Sequence, residues 1–170
     1  MAKLDIIIAP DPRLKIKCKP VAKVDSKVVR LMDSMLETMY AAPGIGLAAP
    51  QVGVAHRVIV LDVAKEGEKA SPYAMANPEL IWVSDEDNTY NEGCLSVPDQ
   101  YAEVDRPDSI RARWLDENGA AHEEEITGML AVCLQHEMDH LEGILFIDHL
   151  SRLKREMILR KIAKARKQAA

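Results

Sequence analysis

Apolar residues recur at helical spacing in three stretches of the chain. The first stretch follows Asp25 and predicts a helix that is capped by this residue and ended by Pro43-Gly44. Its apolar stripe consists of Val28, Leu31, Met32, Met35, Leu36 and Met39. A second helix is predicted from a Thr127 cap to about Leu141, and a third after a Ser151 cap. The apolar positions of the third helix are Leu153, Met157, Ile158, Ile162 and Ala165.

Between the first two helices the pattern changes to that of strands. Residues 57–63 are predicted to form a buried strand, and further strands are predicted at residues 79–83 and 101–104. Residues 109–115 alternate with a period of two, and the turn at 116–119 leads into a partner strand, which is a hairpin pattern. Strands that are segregated from helices predict an α+β fold. In this fold, short antiparallel strands pack around the second helix, with one helix at each end of the chain.

The charge is distributed unevenly over the 170 residues. The formal net charge is −5, but residues 152–167 contain eight basic residues and one acidic residue. This local balance of +7 leaves −12 for the remainder, so the C-terminal helix is expected to meet an anionic partner.

Several classes of protein are excluded or disfavoured by the composition. No run of about 18 apolar residues occurs, so we expect no membrane span. The N-terminal apolar patch is too short for a signal peptide, which predicts a cytoplasmic protein. Three widely separated cysteines argue against a disulfide framework and leave metal binding, catalysis or burial.

The segment "QHEMDHLEG" contains a metal-binding pattern. His136 and His140 are one helical turn apart, so both imidazoles can reach one ion. Glu137 lies on the flank of that face, where it can contact a water without competing as a ligand. The same stripe contains Met129, Val132 and Cys133. The histidines should therefore face the interior on a central, metal-binding helix, although a solvated helix face with two histidines is the alternative.

The third ligand is not at the position used by the commonest protease version of this motif. That position holds Phe146, which cannot bind a metal, and Glu156 lies in the basic helix. Cys94 lies between Gly93 and Leu95 in a predicted polar loop, which suits a thiolate ligand better than a core residue. Cys133 is expected in the core, and Cys18 lies near a terminus. We therefore predict a site of two histidines and Cys94 with a fourth position open for water.

Three segments together resemble the motifs of the peptide deformylase family. They are "GIGLAAPQ" at 44–51, "EGCLS" at 92–96 and "HEMDH" at 136–140, which together cover 18 positions. The resemblance extends over essentially the whole chain. It implies a hydrolase that removes the formyl group from the N-terminal formylmethionine of new polypeptides and releases formate. It also implies a catalytic domain at residues 1–150, to which the basic helix at 151–170 belongs.

The resemblance implies a role for each motif residue. Cys94, His136 and His140 would hold one divalent metal ion, typically Fe²⁺, with Zn²⁺, Ni²⁺ or Co²⁺ as substitutes. Glu137 would be the general base and acid of the reaction. The basic C-terminal helix would contact the ribosome, and the second partner would be the formylmethionyl peptide.

The glycine motif and the cysteine motif would bind the substrate. Gln51 and the backbone N–H of Leu95 would stabilise the oxyanion. Residues 44–47 would line the site, and Gly46 would bring its backbone close to the substrate. The expected pocket walls are Gly44, Ile45, Leu95, Met129, Val132 and Cys133. Ordinary core packing is the alternative for each apolar wall residue.

One position departs from the family pattern, because Tyr101 stands where members often carry a basic residue. This departure concerns the peptide beyond methionine and leaves the chemistry unchanged. Two other functions fit the histidine motif alone, a metallopeptidase or aminopeptidase and a non-catalytic zinc-binding module. The first lacks a ligand at Phe146, and the second normally needs four protein ligands.

Overall fold

The computed structural model describes residues 3–169, and its elements follow the predicted order of helix, strands, helix, helix. The helices are α1 (Ser26–Ala41), α2 (Gly128–Leu141) and α3 (Arg152–Ala169). The strands are β1 (Gly46–Ala48), β2 (Val58–Leu61), β3 (Tyr73–Val83), β4 (Asp87–Cys94), β5 (Val97–Pro107), β6 (Ser109–Leu115) and β7 (Ala121–Thr127). Short 3-10 helices cover Pro12–Lys15, Ala49–Val52 and Phe146–His149.

Helix α1 begins and ends where its sequence predicts. The Asp25 carboxylate accepts a hydrogen bond from the Val28 N–H at 3.0 Å, which satisfies one of the free donors of the first turn. The helix ends at Ala41, two residues before Pro43. Its stripe of Val28, Met32, Met35 and Met39 is buried against β2, so helical periodicity alone located this element.

The strands form two antiparallel sheets. The larger sheet has the order β1-β2-β3-β6-β7, and β4 pairs with β5 in a separate two-stranded sheet. Within residues 3–169, β1 is therefore an edge strand that pairs on one side. The predicted α+β class with antiparallel strands is confirmed.

Two strands were not predicted, and two are longer than predicted. The sequences of β1 and β4 lack the apolar alternation of a strand, because their conformations come from pairing with β2 and β5. Strand β3 begins at Tyr73 rather than at Glu79, and β5 extends through 97–107. Residues 79–83 extend beyond the core, which leaves Leu80 to Val83 between 38% and 49% exposed.

Helix α2 lies in the centre of the molecule, and its residues 131–138, 140 and 141 are buried. One face packs against the larger sheet in a cluster that includes Ile59, Met75 and Ile110. Thr127 occupies the N-cap position, but its side chain makes no capping hydrogen bond, so that detail of the prediction is wrong.

The end of α2 is fixed by Gly143, which has a φ of +75°. A Cβ on this residue would lie 2.5 Å from the carbonyl oxygen of Lys15. Nearby, the Cys18 N–H donates to the Leu141 carbonyl at 2.8 Å. The N-terminal segment therefore packs directly on the helix turn that carries His140.

Helix α3 packs on the rest of the chain through one face. The Ser151 hydroxyl accepts a hydrogen bond from the Lys154 N–H at 3.2 Å. Ile158 and Ile162 are buried in a cluster with Phe146 and Ile147. No helix in the described range 3–169 is long and apolar enough to cross a membrane.

Candidate metal centre and active-site cleft

Two imidazoles and one thiol converge between α2 and the end of β4. The ligand atoms of Cys94, His136 and His140 all lie within 4.8 Å of one another, and the Cys94 Sγ is 3.4 Å from the His140 Nε2. His140 is completely buried and His136 is 8% exposed. Cys94 is the last residue of β4 and is half-buried, so its predicted place in a loop is wrong.

Glu92 orients the first histidine. Its Oε1 accepts a hydrogen bond from His136 Nδ1 at 2.9 Å, which leaves the other ring nitrogen of His136 for the ligand cluster. The Arg106 guanidinium binds the same carboxylate through two N–H donors, at 2.5 and 2.9 Å. Burial alone would raise the pKa of Glu92, but the hydrogen bonds from His136 and Arg106 lower it. Glu92 is therefore an anion that helps to hold the imidazole in place.

The two imidazoles have opposite electrostatic surroundings. Burial alone would lower the pKa of His136, but the charge of Glu137 and the hydrogen bonds with Cys94 and Glu92 raise it well above its usual value. Burial, followed by the charges of His136 and Arg106, lowers the pKa of His140 well below its usual value. A thiol, a neutral imidazole and an anion-supported imidazole form a donor set that suits a divalent transition metal. The residues present therefore fit the predicted metal.

Glu137 lies beside these ligands with part of its carboxylate unsatisfied. It is 4% exposed, and its Oε1 has no hydrogen-bond partner among the described residues. Burial raises the pKa of Glu137 to about 7. A carboxyl group with this pKa can both accept and release a proton near neutral pH. His140 Nδ1 is likewise without a partner in the described range.

Gly46 makes room for this carboxylate. A Cβ on Gly46 would collide with Glu137 Oε2 and would lie 2.9 Å from Cys133 Sγ. The Cys133 thiol in turn donates to the Ile45 carbonyl at 3.5 Å, and burial together with the Glu137 charge raises its pKa. Strand β1 and helix α2 can therefore approach this closely only with glycine at position 46.

Gln51 connects the glycine segment to the cysteine segment. Its Oε1 accepts from the Ala48 N–H at 2.9 Å, which orients the amide so that Nε2 faces β4. Nε2 donates to Ser96 Oγ at 3.0 Å and lies 3.5 Å from Cys94 Sγ. The side chain is 1% exposed. Gln51 thus orders its loop and also directs an amide donor at the ligand cluster.

These residues lie at the base of a cleft of about 940 Å³. The cleft is lined by the six expected wall residues, namely Gly44, Ile45, Leu95, Met129, Val132 and Cys133. Ile45 and Met129 are nearly half exposed and lie at the rim, whereas Val132 and Cys133 are buried. Leu47 was expected to line the site but is buried under α1, because successive strand residues point to opposite faces.

The family model described as polypeptide deformylase matches residues 3–156. The chain belongs to the polypeptide deformylase family. It is 60% identical over 167 residues to a peptide deformylase from Rhizorhabdus wittichii, covering 95% of this chain and 94% of that protein. A relative from Phenylobacterium zucineum is 57% identical over 169 residues, covering 99% and 100% of the two chains.

Solved structures give the same result for the fold. The peptide deformylase of Ehrlichia chaffeensis superposes with a TM-score of 0.95 at 40% identity, covering 99% of each chain. A second structure of that protein, in complex with actinonin, gives 0.93 at 42% identity and covers 97% of this chain and 98% of that one. This chain is accordingly an enzyme of the deformylase family with a metal-dependent site.

Some residues of this deformylase site were missed by sequence reasoning. Glu92 is part of the quoted "EGCLS" motif, but its role depends on its distance from His136. Ser96 ends the same motif, but its hydrogen bond with Gln51 could not be read from the motif, and Arg106 lies outside all three motifs. Tyr101 is 66% exposed and lines the cleft, and its ring lies beside Gly93.

Gly46→Ala is expected to lower kcat for deformylation by about 10²-fold, because displacement of the Glu137 carboxylate disturbs the reacting geometry. Metal content should be retained, since no ligand is changed. Gly44→Ala is the matched variant, because its Cβ would meet the movable Leu95 side chain at 2.7 Å, and we expect a smaller loss. Kinetics on a formyl-Met peptide and metal analysis test this. Wild-type kcat in Gly46→Ala would contradict the assigned contact.

Proposed function

We propose that this enzyme hydrolyses the formamide of N-terminal formylmethionine with Cys94, His136 and His140 as metal ligands and Glu137 as the proton carrier. The observation that carries the proposal is the buried Glu137 carboxylate, with an unsatisfied oxygen, beside a three-ligand cluster at the base of a cleft. We also propose that it acts in the cytoplasm, where new polypeptides emerge from ribosomes.

A divalent ion held by these ligands supplies a Lewis acid that makes water a better nucleophile and polarises the formyl oxygen. We propose Fe²⁺ as the native ion, with Zn²⁺, Ni²⁺ or Co²⁺ as substitutes. A mixed set of one thiolate and two imidazoles accepts all four ions, so availability in the cell also contributes to the choice.

Glu137 moves the proton in this mechanism. Its carboxylate takes a proton from the attacking water and later delivers it to the departing amine of methionine. The pKa of about 7 suits both steps, because the group is neither a strong acid nor permanently protonated. Exclusion of bulk water from Glu137 supports this role.

Gln51 and Leu95 stabilise the charge that develops on the formyl oxygen. Gln51 donates through an uncharged amide, and its Nε2 is already directed at the ligand cluster. Binding of substrate would redirect one of these N–H groups from Cys94 or Ser96. The Leu95 N–H belongs to the turn that follows Cys94 and is the second proposed donor.

The cleft and the edge of β1 bind the peptide. Val132 and Cys133 form a buried apolar wall for the methionine side chain, and Ile45 and Met129 form its rim. The edge of β1 that does not pair with β2 offers backbone groups to an extended chain. Together these features favour an unfolded N-terminus that begins with an unbranched apolar residue.

The two other functions are less well supported. In the metallopeptidase hypothesis a third ligand would be needed at position 146, but Phe146 is buried and its ring packs 6.1 Å from that of His136. A structural zinc site normally has four protein ligands, whereas the described cluster has three.

Three substitutions separate the proposed roles. Glu137→Ala should keep the metal and lower kcat by about 10⁴-fold, because one group serves both proton transfers. Gln51→Ala should keep the metal and lower kcat by about 10²–10³-fold, the usual value of one oxyanion donor. His136→Ala should lose the metal together with activity. The measurements are metal content and kcat on formyl-Met-Ala.

Unformylated Met-Ala is the substrate control, since a peptidase would cleave it and a deformylase would leave it intact. A Glu137→Ala protein with bound metal and nearly normal kcat would refute the assignment of the base.

The identity of the metal can be tested by exposure to air. If Fe²⁺ is native, the anaerobically purified enzyme should contain iron and lose activity in air, because both the ion and the Cys94 thiolate can be oxidised. The nickel form of the same protein should survive longer. Equal half-lives of the two forms in air, or zinc in the anaerobic preparation, would contradict the proposal.

We propose that α3 docks on the ribosome through its basic face while belonging to the same domain as residues 1–150. The family model ends at residue 156, so most of this helix lies outside the match. Its buried side, with Ile158 and Ile162, packs on the body, whereas Arg160, Lys161 and Lys164 are exposed. Exposed cations on a fixed helix suit a phosphate-rich surface.

Replacing Arg160, Lys161 and Lys164 with Gln should weaken ribosome binding and leave the buried face intact. The slope of log affinity against log salt should become shallower by about 2 to 3, since each lost phosphate contact contributes about 0.7 to 0.9. The matched control replaces the exposed Lys23, Lys27 and Arg30, which lie in α1 and just before it. Co-sedimentation across a salt series measures both proteins. Equal salt slopes for the α3 variant and the control variant would rule out a specific role for α3.

A further inference from the structure

The three ligands come from two parts of the fold that are separate in the chain. Cys94 ends a strand of the two-stranded sheet, whereas His136 and His140 project from α2. This sheet forms no ladder with the five-stranded sheet in the described residues. The distance from the thiol to the imidazoles therefore depends on whatever ties β4 and β5 to α2.

Arg106 of β5 makes that connection. Its guanidinium binds Glu92 of β4 through Nε and Nη2, and the remaining Nη1 donates to Asp139 Oδ2 of α2 at 2.9 Å. Glu92 is two residues before Cys94, and Asp139 directly precedes His140. One planar guanidinium group thus connects Glu92, near Cys94, with Asp139, next to His140.

The bridge is buried, which makes it geometrically demanding. Arg106 is 4% exposed and Glu92 is 6% exposed, so each charged group has lost its contact with water and is hydrogen-bonded to the other instead. Buried ions are tolerated only with well-formed hydrogen bonds, and a guanidinium offers these in a fixed fork. A second link, from the Gln135 amide to the Pro107 carbonyl at 2.9 Å, lies next to it.

We propose that Arg106 is a positioning residue that fixes Cys94 relative to His136 and His140 and thereby sets the affinity of the site for a divalent ion. This inference builds on the proposed metal-dependent function but concerns metal binding alone. Asp139 is the helix-side anchor of the bridge. His149 allows this role to be distinguished from general stabilisation of the fold. It also contacts Asp139 Oδ2, at 2.8 Å, but it is not part of the bridge through Arg106.

Asp139→Ala cuts the bridge on the helix side and leaves the buried Arg106–Glu92 pair intact. We expect the Kd for Zn²⁺ to rise by about 10- to 100-fold, the usual effect of losing an outer partner of a metal site. The absorption of the Co²⁺ form should shift, because the thiolate contact changes. Asp139→Asn, which keeps an oxygen acceptor for Arg106, should restore most of the affinity.

His149→Ala is the matched control. It removes the other contact of Asp139, an ion pair at the surface, so the Kd should change by less than about twofold. Zn²⁺ is titrated against a chromophoric chelator, with circular dichroism to compare the folded fraction of each variant. Arg106→Lys provides a second measurement from the sheet side, since it keeps the charge and loses the fork.

Native Zn²⁺ affinity and an unchanged Co²⁺ spectrum in Asp139→Ala would overturn the proposal. An equal loss in His149→Ala would also overturn it, since the effect would then belong to the His149 contact. A failure of the proposed function has a different signature, because the wild-type protein would bind Zn²⁺ with the expected dependence on Asp139 but leave formyl-Met-Ala intact.

Discussion

Helix α2 is buried on nearly every side while carrying polar side chains, and each buried polar group needs a partner. Gln135 meets the Pro107 carbonyl, His136 meets Glu92, and Asp139 meets Arg106. All three partners lie on β4 or β5. The hydrogen bonds that the polar side chains of α2 require therefore hold the two-stranded sheet against this helix. That position places Cys94, at the end of β4, next to His136 and His140.

Two buried polar atoms of α2 have no hydrogen-bond partner among the described residues. A buried polar atom without a partner costs roughly 1–3 kcal/mol, so native proteins have few of them. In the described residues they are Glu137 Oε1 and His140 Nδ1, both on the cluster-bearing turns of α2. Glu137 Oε1 is therefore free of competing hydrogen bonds from the described residues.

The sequence predicts local features well and long-range pairing poorly. The helices and the His136–His140 pair were predicted from residue spacing within one or two helical turns. Cys94 was predicted as the third ligand because Phe146 occupies the usual ligand position and cannot bind a metal. Strands β1 and β4 have no such signal, because their conformation depends on partner strands. Arg106 is the extreme case, since its partners Glu92 and Asp139 are 14 and 33 residues away. A buried arginine cannot be told from a surface one until those distances are known.

Within residues 3–169, β1 pairs on one side only, which would limit the conformations that a peptide bound along this strand could have. A strand edge recognises a row of backbone donors and acceptors at the strand repeat, and a helix has already satisfied most of these internally. Since Gly46 begins this strand beside the Glu137 carboxylate, a chain that paired with this edge would pass that carboxylate in extended form. An N-terminus that has already folded into a helix or a core would have to unfold first. If peptides bind along β1 as proposed, deformylation should be fastest in the interval before a new chain acquires structure of its own.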